Sequence, residues 1–264
     1  MELEVLGQRA YLYTGGKRLD VTLPVVVFIH GAQQDHSCWA LQSRWFAHHG
    51  YAVLAPDLPG HGRSGGDALP SIEALADWIV AVLDTLGIAR AAVVGHSMGS
   101  LVALELAVRH GGRLAKAALL GTALPMPVSP VLLDASRDDE GKAAAMINAF
   151  SYSAAGQIGG NPVPGLWLLG VNKRLMARQK PGVFHIDLNA CNAYQRTPDS
   201  LAGIAVPVLL IAGSQDRMTP AKAAKALLDA IPGARLVGIE GSGHALMAER
   251  PDAVLDALRA FLST

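Results

Sequence analysis

An excess of charge of either sign is missing from this chain. Lys+Arg and Asp+Glu each number 22 among 264 residues, so the formal net charge is zero. No basic face is implied, which argues against nucleic acid or an anionic membrane as partner. Cysteine is scarce: Cys38 and Cys191 lie far apart, make no disulfide framework, and read as free thiols. Metal spacing is absent, because the nine histidines contain no H-x-x-x-H and no C-x-x-C occurs. No metal and no cofactor are therefore expected. No apolar run approaches the roughly 18 residues of a membrane helix. The opening Met1-Glu2-Leu3-Glu4-Val5 is acidic and has no apolar signal core. A soluble cytoplasmic protein acting on a small molecule is expected, as monomer or homodimer. Repeats and low-complexity tracts are lacking too.

What the chain has in quantity is apolar residues, 51% against 17% charged, enough for a full core with much buried parallel sheet. Short β-branched runs at 25–29, 52–55, 91–94, 117–120, 207–212 and 235–239 read as strands. Between them lie helical patterns. Ser71 to Leu86 puts Ile72, Leu75, Ile79, Val82, Leu83 and Leu86 on one stripe, stopped by Gly87. Thr219-Pro220 reads as N-cap and first residue of a helix through Leu228, and Pro251 to Leu262 closes the chain as another. This alternation predicts parallel strands with helices on both faces. Leu3–Leu6 and Ala10–Tyr13 are expected to form an antiparallel hairpin at one edge.

One stretch breaks the rhythm. From Gly121 to about Ser200 no strand pattern recurs, and helical patterns near 130–150, 165–179 and 185–194 are joined by pieces such as Gly159-Gly160-Asn161-Pro162-Val163-Pro164-Gly165. That is too long for a plain crossover and reads as a helical lid. The expected division is a core of residues 1–123 and 201–264 with a lid at 124–200.

The strand at 91–94 runs into Gly95-His96-Ser97-Met98-Gly99 and straight on into a helix. A serine on such a turn has its hydroxyl pushed out of the sheet, and the Met98 N–H sits at a helix N-terminus, where an oxyanion is favoured. Gly62-Arg63-Ser64-Gly65-Gly66 matches the same five-residue pattern, but it lies in a loop with no strand before it and no helix after it. Ser64 therefore reads as a loop residue. A serine nucleophile needs a base, and His244 in Gly241-Ser242-Gly243-His244 follows the last strand. The imidazole needs a carboxylate, and Asp216 follows the strand before. The chain order is Ser97, Asp216, His244. Asp216 read alone could simply cap the helix that follows.

Taken with His30-Gly31-Ala32 and Asp57-Leu58-Pro59-Gly60-His61-Gly62-Arg63-Ser64, these pieces resemble the α/β-hydrolase superfamily over essentially the whole length. The resemblance implies an open, mostly parallel sheet of the eight-stranded type with an inserted helical lid. It also implies a second oxyanion donor, the N–H of Ala32, beside that of Met98. The loop departs from many relatives by continuing Gln33-Gln34-Asp35 where they have a second glycine, so Gln33 is a neighbouring candidate. His30 and Asp57 read as loop-bracing and His96 as structural; Asp35 and His36 could line the entrance but read first as solvated loop residues. A serine at the elbow argues against the carboxylate-nucleophile chemistry of dehalogenase and epoxide-hydrolase relatives. The expected activity is hydrolysis of a small, mainly apolar carboxylic ester, lactone or thioester through an acyl-enzyme. C–C bond hydrolysis and cofactor-free perhydrolysis remain open, and a non-catalytic ligand-binding protein is the reading from another class. Trp39, Met126, Met146, Phe150, Trp167 and Met247 are the candidate substrate-binding residues.

Overall fold

The computed structural model describes residues 1–160, 162–163 and 165–263. In chain order the elements are β1 (Glu2–Val5), β2 (Gln8–Tyr13), β3 (Val25–Ile29), α1 (Ala40–Ala47), β4 (Ala52–Pro56), α2 (Ile72–Thr85), β5 (Ala91–His96), α3 (Met98–Arg109) and β6 (Leu114–Leu120). Then come α4 (Pro130–Asp138), α5 (Glu140–Ser151), α6 (Ala154–Gln157), α7 (Leu168–Met176), α8 (Val183–Ala193) and α9 (Pro198–Ala202). The chain closes with β7 (Val208–Gly213), α10 (Ala221–Ala230), β8 (Arg235–Ile239), α11 (Leu246–Glu249) and α12 (Pro251–Leu262).

The strands form one eight-stranded sheet in the order β1-β2-β4-β3-β5-β6-β7-β8. β1 and β2 are the antiparallel hairpin at one edge, β2 meets β4 antiparallel, and every later pairing is parallel. β3, β4, β5 and β7 are buried throughout and β6 from Ala117 onward, as parallel strands under two helical layers must be. Alternation assigns each residue a side. Val25, Val27 and Ile29 join the core beneath α2 and α3, whereas Val26 and Phe28 join the core that packs on α1 and α12.

All of α4 to α9 lies between β6 and β7. The helical pattern at 130–150 is split by Asp139, whose side chain accepts the Lys142 N–H and starts a new helix. Asn161 and Pro164 of the Gly/Pro-rich joining piece lie outside the described residues. Another difference concerns Thr219-Pro220. The helix begins at Ala221 with Pro220 in the cap position, because the Thr219 hydroxyl is taken by the Asp216 carboxylate.

Candidate active site

Four loops at the carboxyl ends of β3, β5, β7 and β8 carry the residues singled out by the motifs, the edge at which open α/β sheets place their ligands. β5 ends at His96 and α3 starts at Met98, so Ser97 alone makes the turn, at φ 52 and ψ −120. A left-handed φ is costly for a residue with a β-carbon, about 1–3 kcal/mol. It is held there by the Ser97 N–H donating to Leu120 O at 2.9 Å and by the Ser100 N–H donating back to Ser97 O at 2.8 Å. The two glycines permit the close approach. A β-carbon on Gly95 would lie 2.0 Å from Gly99 O, and one on Gly99 would lie 2.3 Å from Ile29 O.

Asp216 and His244 come together. Asp216 Oδ2 lies 2.8 Å from His244 Nδ1, with both side chains almost wholly buried. The Thr219 hydroxyl donates to the same oxygen at 2.7 Å, and Asp216 Oδ1 accepts the Met218 and Thr219 N–H groups at 2.8 and 2.9 Å. Asp216 thus shapes its own turn and faces the imidazole at once. Burial by itself would raise its pKa, but the His244 charge, the hydrogen bond to His244 and those from Thr219 outweigh it and hold the carboxyl at about 2. His244 Nε2 is buried with no hydrogen-bond partner among the described residues. Gly121 makes room for the ring, since a β-carbon there would sit 3.0 Å from His244 Cε1.

Ser97 and His244 line one cavity of about 320 Å³, together with Gly31, Ala32 and Gln34 from the β3 loop. Met126, Met146 and Phe150 line it, as do Met218 and Thr219. Trp39, Met247 and Trp167 do not. Trp39 is completely buried, 5.3 Å from the Phe28 ring, because its 3-10 turn folds inward onto the sheet. Met247 is buried in the same core and its carbonyl accepts the Gln42 side-chain amide at 3.1 Å. Trp167 is 66% exposed and borders a separate hollow of about 780 Å³.

The loop after β3 is tied down at Gly31, Gln33 and Gln34. Gln33, at φ 55, donates its N–H to Asp187 Oδ2 at 2.8 Å and its side-chain amide to Met176 O at 3.2 Å. Its N–H is therefore committed and does not serve the cavity, whereas the Ala32 and Met98 N–H groups have no acceptor among the described residues. Gln34 donates to Asn172 Oδ1 at 3.3 Å. Both Asp187 and Asn172 belong to the inserted helices, and motif spacing gave no signal for either.

The remaining polar residues form a scaffold under these loops. His61 Nε2 meets Asp187 Oδ2 at 2.9 Å and its Nδ1 meets Pro59 O at 3.0 Å. Both ring nitrogens face acceptors, so both carry protons. Burial opposes the charge, but Asp187 outweighs it and raises the His61 pKa. His30 accepts the Leu58 N–H on Nε2 and donates to Gly31 O, a neutral tautomer that burial and the His61 charge push down to about 4. His96 donates from Nε2 to His244 O at 2.8 Å, and burial, then His244, lowers it to about 3. Asp57 accepts the His36 and Arg63 N–H groups and pairs with the His36 ring at 2.6 Å. Asp35 is fully buried and caps the following turn through the Ser37 N–H. Asp35 and His36 are therefore not solvated loop residues, since the turn draws both against the sheet edge. Ser64 lies in the loop, its hydroxyl donating to Asp57 O at 2.6 Å. Cys38 and Cys191 are free thiols whose pKa values burial pushes up.

The fold recurs in a solved enol-lactonase from Burkholderia xenovorans LB400, 28% identical, with a TM-score of 0.88 and each chain wholly covered. By sequence the chain is 29% identical to a non-heme haloperoxidase of Rhodococcus erythropolis over 253 residues, 90% of this chain and 92% of that one. It is also 26% identical to a putative esterase/lipase of Haemophilus influenzae, over 92% of this chain and 84% of that one. A sequence profile of the alpha/beta hydrolase family matches residues 26–257. With the eight-stranded sheet and its loop-borne site already in view, that match establishes that the chain belongs to the alpha/beta hydrolase family.

Proposed function

We propose that this enzyme hydrolyses small, mainly apolar carboxylic esters or lactones through an acyl-enzyme on Ser97. The observation that carries the reading is the state of His244. One ring nitrogen is held by a carboxylate, and the other is free of protein partners in the cavity wall that also presents Ser97. His244 takes the Ser97 proton as the hydroxyl attacks the carbonyl, while Asp216 fixes the tautomer and steadies the imidazolium. The oxyanion is received by the Met98 and Ala32 N–H groups, free donors on a helix N-terminus and on a loop locked by Asp187. His244 then protonates the leaving alcohol oxygen, and water, deprotonated by the same ring, releases the acid. The inserted segment serves as the lid that supplies the apolar wall, through Met126 before α4 and Met146, Phe150 and Leu188 on its helices.

Relatives named as lactonase, esterase and haloperoxidase are compatible with one acyl-enzyme met by different nucleophiles. Attack by hydrogen peroxide in place of water would release a peroxyacid, the second reading that the haloperoxidase brings. A fluorophosphonate probe tests the shared first step. Rapid labelling of wild type but not of Ser97→Ala is expected, with kcat on short esters falling by on the order of 10³ or more in the variant. An unlabelled wild-type protein would leave a ligand-binding role instead.

A further inference from the structure

The cavity beside Ser97 holds an uncompensated positive charge. No Asp or Glu is among its described lining residues, and the one permanently charged side chain at its wall is Arg217. Arg109, Arg113 and Arg196 are paired with carboxylates elsewhere in the molecule, but Arg217 has no such pair among the described residues. Its neighbour Asp216 is no substitute, because both oxygens of that carboxylate already serve His244 and the 218–219 turn.

Arg217 also has an aromatic neighbour at the cavity. Its guanidinium carbon lies 4.6 Å from the centroid of the Phe150 ring, and Phe150 lines the same cavity. A contact over the ring face leaves the guanidinium N–H donors without a protein carboxylate among the described residues to receive them. Their planar edge matches the two oxygens of a carboxylate. Arg217 and Phe150 are both exposed, so this edge lies at the solvent side of the cavity and the ion pair it offers is a weak, salt-sensitive one.

We propose, building on the ester-hydrolase reading, that the substrate carries a carboxylate remote from the scissile bond and that Arg217 binds it. The reaction is ordinary hydrolysis. Water adds across the acyl–oxygen bond, the alcohol oxygen leaves with a proton, and the acyl half departs as a second carboxylate, its proton going to solvent.

Two matched ester pairs test this. Monoethyl adipate against ethyl hexanoate puts the charge on the acyl side, and 6-acetoxyhexanoate against hexyl acetate puts it on the alcohol side. Rates are followed by pH-stat, and binding of the same compounds to Ser97→Ala is followed by calorimetry. The anionic member of one pair is expected to be favoured about fivefold in kcat/KM, a size set by a partly exposed ion pair. The preference should shrink with added salt. Arg217→Gln should bring the ratio to near one, Arg217→Lys should keep part of it, and Arg217→Glu should turn it toward the cationic ethyl 6-aminohexanoate. Equal treatment of both members in both pairs, or a ratio that Arg217→Gln leaves unchanged, overturns the proposal. Tighter binding of the anionic ester without any turnover would sustain Arg217 and remove the hydrolase reading.

Discussion

Glu249 accepts the Gly243 N–H at 2.8 Å from a buried position, one residue before His244. Its other oxygen takes the Ser153 N–H at 3.0 Å and the Ser153 hydroxyl at 2.5 Å. On the far side of His244, the Ala245 N–H donates to Ser151 O at 3.1 Å. The loop carrying the proposed base is thus fastened at both flanks to the junction of α5 and α6. Glu249→Ala strands these donors and should cost on the order of 3 kcal/mol. Kinetically it should lower kcat about 10- to 100-fold with little change in KM, as expected of a positioning residue. Glu249→Gln should fall between. Thermal melts and steady-state kinetics on both variants check this, and an undiminished kcat in Glu249→Ala would show that the loop holds its place unaided.

Asp216 offers a cleaner separation of stability from catalysis. An amide in place of the carboxylate can still accept the Met218 and Thr219 N–H groups, so Asp216→Asn should melt within a few degrees of wild type. Facing His244 Nδ1, however, the amide cannot enforce the catalytic tautomer, and kcat should drop about 10³- to 10⁴-fold. Retention of activity would reduce Asp216 to the cap that its sequence context also allowed.

Asp187 joins the inserted helices to the loop after β3. Asp187→Asn leaves the His61 imidazolium buried without its counter-charge and weakens the hold on Gln33. A stability loss of about 3 kcal/mol is expected, together with a lower kcat. The sign of its pH dependence follows from the raised His61 pKa. That pair stabilises the fold below the unfolded value of 6.5 and ceases to do so as pH rises through the folded value. The deficit of the variant should therefore be larger at about pH 6 than at about pH 9 in urea melts.

His30 and His96 act in the opposite sense. Their folded pKa values, about 4 and about 3, lie below the ordinary histidine value of 6.5. The unfolded chain binds protons that these buried rings refuse, so wild-type stability should fall as pH drops from about 6.5 toward about 4. Asp216 adds a further loss between 3.8 and about 2 as its carboxylate takes a proton. Denaturant midpoints measured at about pH 7, 5.5 and 4.5 check the first slope, and His96→Asn should flatten it.

Much of this site was legible in linear order because its parts are local. The elbow, the turn around Asp216 and the loop before His244 each combine a strand end with glycines whose conformational demands are written in a few consecutive residues. The lining was harder to read. Met126, Met146 and Phe150 face the cavity, but Trp39 and Met247 are equally apolar and went into the core instead. Apolar character predicts burial and does not say beside what. Glu249 and Asp187 gave no motif signal and Thr219 signalled only a helix start, since each acts on a partner chosen by packing.

The sequence by itself determined the alternating elements, the serine on its strained turn and the strand ends that carry Ser97, Asp216 and His244, because backbone preference and hydrophobic period operate over neighbours. Only the tertiary structure decided how the inserted helices lie across the sheet. That placement brings Asp187 to Gln33, Ser153 to Glu249 and Phe150 to Arg217. The first two of these contacts join residues 154 and 96 positions apart. Hydrogen bonds and ring contacts at such separations depend on the packing of whole elements, which no local pattern encodes.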